Sequence, residues 1–241
     1  MKADTFSAFP EETLQFLRKL KRNNNREWFQ EHKAAYEEFL KQPMTELIQA
    51  LGKDFKKFAP EMIASPQVSA FRIYRDTRFS QDKSPYKTHI AAVFPRAGLG
   101  KHEGARFYLH IAPSDVFVGG GLYMPPPEDL HAVRMHIAKR SAAFFRILRS
   151  SEFRKHFGEI SGERLSRVPK GFPADHSAAE YLKHKQFLAA RTLPASVATS
   201  PAFYKMVLKT FRAMLPLVRF LNDPIVEARR MRDRQKALTA L

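Results

Sequence analysis

The sequence predicts an α+β fold, in which a mainly antiparallel sheet of about four strands, within residues 68–123, is flanked by N-terminal and C-terminal helices. Two periodicities support this prediction. Apolar residues recur at helical spacing before Val68 and again in the second half of the chain, whereas between Val68 and Tyr123 they alternate with polar residues. Runs of three glycines (119–121) and three prolines (125–127) separate the sheet from the second helical part.

Three helices are predicted before the sheet. Pro10, followed by two glutamates, favours the first turn of a helix that ends at the asparagines of residues 23–25. Asn25 is a suitable cap for the second helix. Pro43 can open the third, whose apolar face predicts a buried set of side chains: Leu47, Ile48, Leu51 and Phe55.

Four extended runs are predicted in the sheet region, the first from Val68 and the others at residues 88–94, 105–112 and 115–119. Their short connections favour antiparallel pairing. In the third run Phe107, Leu109 and Ile111 point to one face, and Arg106, Tyr108 and His110 to the other. We expect helices to cover the apolar face. The polar face could bind a ligand, and a face turned only to water explains the same pattern equally well.

The second half is predicted to be helical. Glu128 and Asp129 favour the start of a long helix, and the capping box of residues 177–180 follows a rigid loop at residues 169–173. Ser200 and Pro201 open the next helix, which Pro216 is expected to kink or break. We predict a single domain over residues 1–222 and a basic helical extension over residues 223–241.

Cysteine is absent from the 241 residues, which excludes disulfides, thiol catalysis and cysteine-ligated metals. The amino terminus, Met1 to Thr5, lacks the pattern of a targeting segment, and no apolar run approaches the length of a membrane span. We therefore expect a soluble, cytoplasmic protein with no membrane partner.

The net charge of +17, from 41 basic and 24 acidic residues, suggests a polyanionic partner such as a nucleic acid. The excess is spread over several predicted helices and the carboxyl-terminal tail. Solvated helix faces explain much of it equally well. Charge alone does not identify a partner, and no nucleic-acid-binding motif accompanies it.

The densest group of functional residue types lies in residues 71–89, FRIYRDTRFSQDKSPYKTH. Guanidinium groups form paired hydrogen bonds with phosphate or carboxylate oxygens, and neighbouring acids can hold them in position. The run therefore predicts a site for an anionic ligand. Its candidate residues are Arg72, Arg75, Arg78, Asp82, Lys83, Tyr86 and Lys87, with Tyr108 of the sheet as a further wall.

A structural brace is the alternative explanation of the same run. Asp76 would then pair with a neighbouring arginine, and Asp82 with Lys83 or Lys87, because structural ion-pair networks look like sites in a sequence. The two explanations differ in one consequence. If Arg75 and Arg78 bind an anion, replacing either by alanine should abolish stabilisation by the ligand and leave the free protein nearly as stable.

Catalytic residues are harder to assign. Asp175 and His176 could form a proton-transfer pair, and Asp76 is a further acid, so these three are weak catalytic candidates. The structural alternative is that Asp175 simply precedes a helix and that His176 occupies an exposed turn. His131 and His136 lie five residues apart, which does not place two imidazoles on one helix face, so we expect no metal site and no cofactor.

Several of these stretches together resemble the family called domain of unknown function 2461. They are Asn24 to Phe29, the run from Phe71 to Thr88, the glycines 119–121, Lys170 to Phe172, and Leu182 to Lys185. The matching stretches span about residues 6–222. The resemblance implies membership and a single-domain extent, and it implies no mechanism. Gly120, whose amide could approach a ligand closely, Lys170 and Lys183 lie in these stretches and complete the candidate ligand-binding set.

Three functions remain open from the sequence. The first is binding of a phosphate- or carboxylate-bearing ligand by the arginine-rich run. The second is a metal-independent enzyme acting on a phosphoester, with the weak catalytic candidates as acid and base. The third is association with nucleic acid through diffuse positive charge and stacked aromatic side chains. Neither enzymatic activity nor oligomeric state can be decided from the sequence.

Overall fold

A computed structural model of the chain describes residues 6–239, except for the side chains of Lys236 and Thr239. Residues 1–5, on which part of the expectation about targeting rests, lie outside the described residues. The fold is α+β, with 52% helix and 15% strand, and helices at both ends flank an antiparallel four-stranded sheet. The predicted fold class and the predicted excess of helix over strand are confirmed.

The first helical part consists of five α-helices and one π-helical turn. They are α1 (Glu11–Arg22), α2 (Arg26–Glu31), α3 (Lys33–Tyr36), the π-helical turn Glu37–Lys41, α4 (Gln42–Phe58) and α5 (Pro66–Ser69). Asn23 ends α1, and the Asn25 side chain accepts a hydrogen bond from the Trp28 amide at 2.9 Å, as the cap prediction requires. Pro43 lies in the first turn of α4, which buries the predicted side chains. No loop precedes it, because the π-helical turn joins α3 to α4 directly.

The sheet has the strand order β1-β2-β3-β4. Its strands are β1 (Ile90–Phe94), β2 (Arg106–Ile111), β3 (Asp115–Leu122) and β4 (Phe187–Pro194). The alternation predicted for β2 is present, since Phe107, Leu109 and Ile111 are fully buried while the residues between them are partly exposed. Apolar side chains therefore cover one face of this strand, and the other carries Tyr108 and His110.

One strand is in a different place from the prediction. The run that begins at Val68 forms only isolated bridges, Ala70 to Ala92 and Tyr74 to Tyr86, and β4 supplies the fourth strand. Pro66 starts the short helix α5, and the chain after it folds back on itself over residues 76–84. Residues 187–194 follow a predicted helix cap, so their extended conformation was not anticipated.

The second helical part contains α6 (Pro127–Lys139), α7 (Ser141–Arg149), α8 (Ser151–Phe157) and α9 (Ala179–Leu182) before β4, and α10 (Phe203–Thr239) after it. A 3-10 helix, Ala195–Thr199, follows β4. α10 continues through Pro216 and Pro224, so of the kink or break expected at Pro216 the break does not occur. Leu215, Leu217 and Leu221 are among its buried side chains, and their burial supports the helix where the prolines remove hydrogen bonds.

Residues of the described chain group into two compact units. The first contains residues 6–94, 108–118 and 192–209, and the second contains residues 95–107, 119–191 and 210–239. In the first unit Phe55 packs edge-to-face on Phe94 with ring centres 5.4 Å apart. In the second, Phe107 stacks on Phe211 at 4.7 Å. The predicted boundary at residue 222 falls within α10, and the division into one domain and an extension stays a prediction.

Within residues 6–239, no helix combines the length and the apolar character that crossing a membrane requires.

Candidate functional site

The arginine-rich run folds back on itself in the first unit. The Arg75 amide donates to the Pro85 carbonyl at 2.9 Å, and the Lys87 amide donates to the Ile73 carbonyl at 2.7 Å. The side chain of Asn24 donates to the Tyr86 carbonyl at 2.9 Å and accepts from the Tyr86 amide at 3.1 Å. These bonds make residues 76–84 the tip of a loop whose base is fixed to the segment between α1 and α2.

Tyr86 anchors this loop by packing. Its side chain is 2% exposed and stacks on Phe29, with ring centres 4.0 Å apart. Tyr74 tilts against the same tyrosine at 5.4 Å. A buried ring in an aromatic cluster contributes to the stability of the fold, and little of it remains accessible to a ligand.

The loop arginines are both paired with acids. Arg78 holds Asp76 through two side-chain hydrogen bonds, from Nε at 3.0 Å and from a terminal nitrogen at 2.7 Å, which lower the pKa of Asp76 to about 2. Arg75 forms an ion pair with Asp82 and donates to the Ser80 hydroxyl at 3.3 Å. Hydrogen bonds from Ser84 and then from Arg75 lower the pKa of Asp82. Lys83 donates to the Thr77 carbonyl at 3.0 Å. This arrangement suits a loop brace, in which Asp82 pairs with Arg75 and not with Lys83 or Lys87 as expected.

Arg72 and Lys87 differ from the two loop arginines. Among the described residues, neither has a carboxylate partner. The Lys87 ammonium donates to the Arg72 carbonyl at 2.8 Å and lies 5.5 Å from the centre of the Phe71 ring. Burial and the adjacent charge of Arg72 lower the pKa of Lys87. The structure therefore places two neighbouring positive charges together without an anion to offset them.

Phe71 connects this pair of cations to the polar side chains of β2 and β3, since its ring centre lies 6.2 Å from that of Tyr108. His110 is held on both sides, with Nδ1 3.3 Å from the Tyr108 hydroxyl and Nε2 3.2 Å from Asp115 Oδ2. His89 lies beside it, with ring centres 5.2 Å apart. We call this set the sheet-face cluster: Phe71, Arg72, Lys87, His89, Tyr108, His110 and Asp115.

The environment sets the charge of several groups in the sheet-face cluster. Burial, followed by the charges of His110 and Lys87, lowers the pKa of His89 to about 4, so its imidazole is neutral at pH 7. Burial raises the pKa of Tyr108 to about 12, so its phenol stays protonated. A hydrogen bond from Ser114 and one from His110 lower the pKa of Asp115 against the effect of burial. The cluster thus combines two cations, a phenol donor and a carboxylate that holds an imidazole.

His89 and Asp115 were not among the sequence candidates. A tight turn, in which the Ala112 amide donates to the Asp115 carbonyl at 2.8 Å, brings Asp115 beside His110. The signal for Asp115 was present in the sequence, because a histidine and an aspartate flank a short connection between two predicted strands. His89 precedes β1, and its proximity to His110 depends on how the strands pair.

Gly120, Lys170 and Lys183 belong to the second unit. A side chain at Gly120 would lie 2.2 Å from the Arg106 carbonyl, and one at Gly121 would lie 2.0 Å from the Phe187 carbonyl. These glycines therefore permit a close approach of neighbouring strands. Lys183 pairs with Glu180 at 2.6 Å, and Lys170 is exposed in its loop.

Two of the weak catalytic candidates, His176 and Asp76, are held by hydrogen bonds within the fold. His176 accepts from the Ala178 amide through Nδ1 at 3.0 Å, and its Nε2 lies 3.2 Å from the Ala138 carbonyl, so the ring braces a turn with both nitrogens. Asp175 is exposed, and Asp76 is held by Arg78. Within residues 6–239, no three His, Asp or Glu side chains form a group that could hold a metal ion.

Comparison with protein families shows which family the chain belongs to. A family model described as Conserved hypothetical protein (DUF2461) matches residues 12–220. The chain belongs to this family. The match confirms the resemblance inferred from the sequence. It covers most of the chain, including the arginine-rich run and the sheet-face cluster. No curated protein and no solved structure matches the chain.

Proposed function

We propose that this DUF2461 protein binds an anionic ligand, bearing phosphate or carboxylate, at the sheet-face cluster. Arg72 and Lys87 are the anion contacts, and Tyr108 forms a wall. One observation supports the proposal above the others: among the described residues Arg72 and Lys87 have no carboxylate partner, unlike Arg75 and Arg78, and they lie together at the edge of an aromatic and imidazole surface.

Electrostatics favour an anion at this place. Two adjacent cations repel each other, and burial followed by this repulsion lowers the pKa of Lys87. An anion that contacts both would offset the repulsion and favour the protonated form of the lysine. A guanidinium group can bind two oxygens of phosphate or carboxylate at once, while an ammonium acts as a point charge.

Other members of the run have a supporting role in this proposal. Arg75, Arg78, Asp82 and Lys83 shape the loop through bonds within it, and Tyr86 anchors the loop base. The proposed site uses residues of the first unit alone. Gly120, Lys170 and Lys183 are not needed for it.

Thermal shift with inorganic phosphate and with citrate tests the proposal. The melting temperature of the wild type should rise with either anion, and Lys87→Ala and Arg72→Ala should abolish the rise. Lys83→Ala is the matched control, because Lys83 is an exposed lysine of the same loop whose bond goes to the Thr77 carbonyl. It should respond like the wild type.

Two outcomes would contradict this assignment. One is a wild type that responds to neither anion. The other is a response that survives Lys87→Ala and Arg72→Ala but disappears in Arg75→Ala or Arg78→Ala, which would place the anion at the loop arginines instead.

A second candidate function is favoured by His110. Asp115 lies 3.2 Å from one imidazole nitrogen and the Tyr108 hydroxyl 3.3 Å from the other. A carboxylate bonded to a histidine orients the ring, which suits a general base next to a bound phosphoester. Hydrolysis of p-nitrophenyl phosphate that persists in a metal chelator and is lost in His110→Asn would support an enzyme. Absent hydrolysis, or activity unchanged in that variant, would oppose it.

A further inference from the structure

The second unit contains a cleft that is separate in its residues from the sheet-face cluster. Its volume is about 620 Å³, which lies within the range of small-molecule sites. The lining residues come from α7, α8 and α9 and from the segments that follow them. Those that matter for its chemistry are Phe145, Arg149, Arg154, Arg164, Tyr181 and His184.

Positive charge dominates the cleft wall. Arg149, Arg154 and Arg164 are exposed, and no carboxylate lies within ion-pair distance of their guanidinium groups among the described residues. Glu180, one of the two lining acids, is already paired with Lys183 at 2.6 Å. Glu159 is the other acid. Three arginines against one unpaired carboxylate leave a surplus of cations that a phosphate can satisfy.

A buried, neutral histidine lies in the cleft wall. The His184 side chain is 0% exposed, and its Nδ1 lies 3.1 Å from the Gln186 carbonyl. A carbonyl oxygen only accepts, so Nδ1 carries the proton and Nε2 of the neutral ring is an acceptor. Burial, and then the charge of Arg164, lower the pKa of His184 and keep the ring neutral. Nε2 has no hydrogen-bond partner in the described part of the chain.

Flat rings extend along the same wall. The Phe145 and Tyr181 ring centres are 5.8 Å apart, and Tyr181 lies nearly parallel to His184, with centres 6.2 Å apart and planes 13° apart. The Arg149 guanidinium lies 5.0 Å from the Phe145 ring centre. Aromatic faces next to arginines suit a planar heterocycle that carries a phosphate.

We propose that this cleft binds a mononucleotide. Its phosphate would contact Arg154 and Arg164, and its base would stack on Tyr181 beside Phe145. The inference does not depend on the anion site of the first unit.

Calorimetric titration with AMP, adenosine and inorganic phosphate tests the proposal. AMP should bind more tightly than either fragment. Arg154→Ala and Arg164→Ala should each weaken AMP binding by about tenfold or more, the effect of losing a charge-assisted hydrogen bond. Arg146→Ala is the matched control, since Arg146 is an exposed arginine of α7 outside the cleft lining, and it should bind AMP like the wild type.

A further variant separates the parts of the site. Tyr181→Leu should weaken AMP binding and leave phosphate binding unchanged. Its folding is checked by its melting temperature, and the exposed arginine variants carry the test if it is unstable.

The proposal is overturned if AMP fails to bind, if it binds no more tightly than phosphate, or if Arg154→Ala and Arg164→Ala leave its affinity unchanged. Lys87→Ala distinguishes this site from the anion site of the first unit. It should leave AMP binding in the cleft intact, whereas loss of AMP binding in this variant alone would assign the nucleotide to the sheet-face cluster.

Discussion

At the scale of single residues, Asn24 and Asn222 make the same kind of contact in different units. Asn24 pairs with both backbone groups of Tyr86, and Asn222 accepts from the Ala105 amide and donates to the Ala105 carbonyl, both at 2.8 Å. Each amide side chain thus satisfies a backbone donor and an acceptor as a neighbouring strand would. Asn222 is 0% exposed, so no water can replace its bonds.

We predict that Asn222→Ala lowers the free energy of unfolding by about 3 kcal/mol, because two buried backbone groups lose their partners at about 1 to 3 kcal/mol each. Urea denaturation measures the change. Asn23→Ala is the control, since Asn23 makes one exposed bond to the Lys19 carbonyl, and its effect should be well below 1 kcal/mol. Equal effects of the two substitutions would contradict this account.

His89 should make stability depend on pH. Its pKa is about 4 in the folded protein, and an ordinary histidine pKa near 6.5 applies when the chain is unfolded. The unfolded chain therefore binds more protons between these values, so stability is present above pH 6.5 and decreases as the pH falls towards 4. Lys87 and His110 oppose protonation, and Asp115 favours it.

We predict that His89→Asn reduces the loss of stability between pH 6.5 and 4 by about 1 to 2 kcal/mol, a value discounted for partial exposure. Melting temperatures across this range measure it. His136 and His184, which also have a lowered pKa, remain in both proteins, so the difference between the two curves isolates His89. Parallel curves for the two proteins would show that His89 does not contribute to the pH dependence of stability.

Sequence reasoning found part of the sheet-face cluster. Arg72 and Lys87 were predicted because basic residues are dense in the run. Tyr108 was predicted because polar residues alternate with apolar ones along β2. It could not separate Arg72 and Lys87 from Arg75 and Arg78, because which arginine meets an acid depends on the path of the loop. His89 was missed because nothing in its local sequence specifies its neighbours in space.

At the scale of secondary-structure elements, α10 shows how burial can override local preference. An internal proline removes one hydrogen bond and crowds the preceding turn. The helix nevertheless continues from Phe203 to Thr239. The two internal prolines differ in environment, since Pro216 is exposed and Pro224 is buried.

We predict that Pro216→Ala raises the free energy of unfolding by about 1 to 2 kcal/mol. Alanine restores the missing amide donor and is the best helix former, which outweighs the added freedom of the unfolded chain. Chemical denaturation measures the gain. Pro224→Ala should gain less, because the packing of its buried ring is lost. Destabilisation by Pro216→Ala would show that the proline is required where it lies.

The strands illustrate the limit of periodicity. β2 and β3 were predicted within a few residues, because alternation and a short turn are local signals. β4 was not predicted, since it pairs with a strand that lies about 65 residues earlier in the chain. The run from Val68 has the alternation of a strand and makes only isolated bridges. Pairing partners distant along the chain decide which extended runs enter a sheet.

At the scale of the whole molecule, the charge of +17 is the dominant property. Ion pairs such as Arg75 with Asp82 and Arg229 with Glu103 involve acids that this net value already counts. The excess of 17 positive charges is enough to make association with a polyanion a testable third function.

We predict that binding to single-stranded RNA or DNA, where it occurs, weakens steeply with salt, because each contacted phosphate releases counterions. Filter binding from about 50 to 200 mM salt measures the slope, which for several phosphate contacts corresponds to a loss of affinity of tenfold or more. Lys87→Ala serves as a comparison, since removing one charge should hardly change a diffuse interaction. Absence of binding at low salt would assign the positive charge to solvation.

The sequence by itself determined the fold class, the first three helices with the Asn25 cap, the alternating faces of β2, the family, and the segment in which cations concentrate. These properties follow from local spacing and composition, which act over a few residues. The tertiary structure alone decided the fourth strand, the continuity of α10, the acid partners of Arg75 and Arg78, and the meeting of His89 with His110. Each of these depends on contacts between distant segments, whose geometry is set when the chain packs.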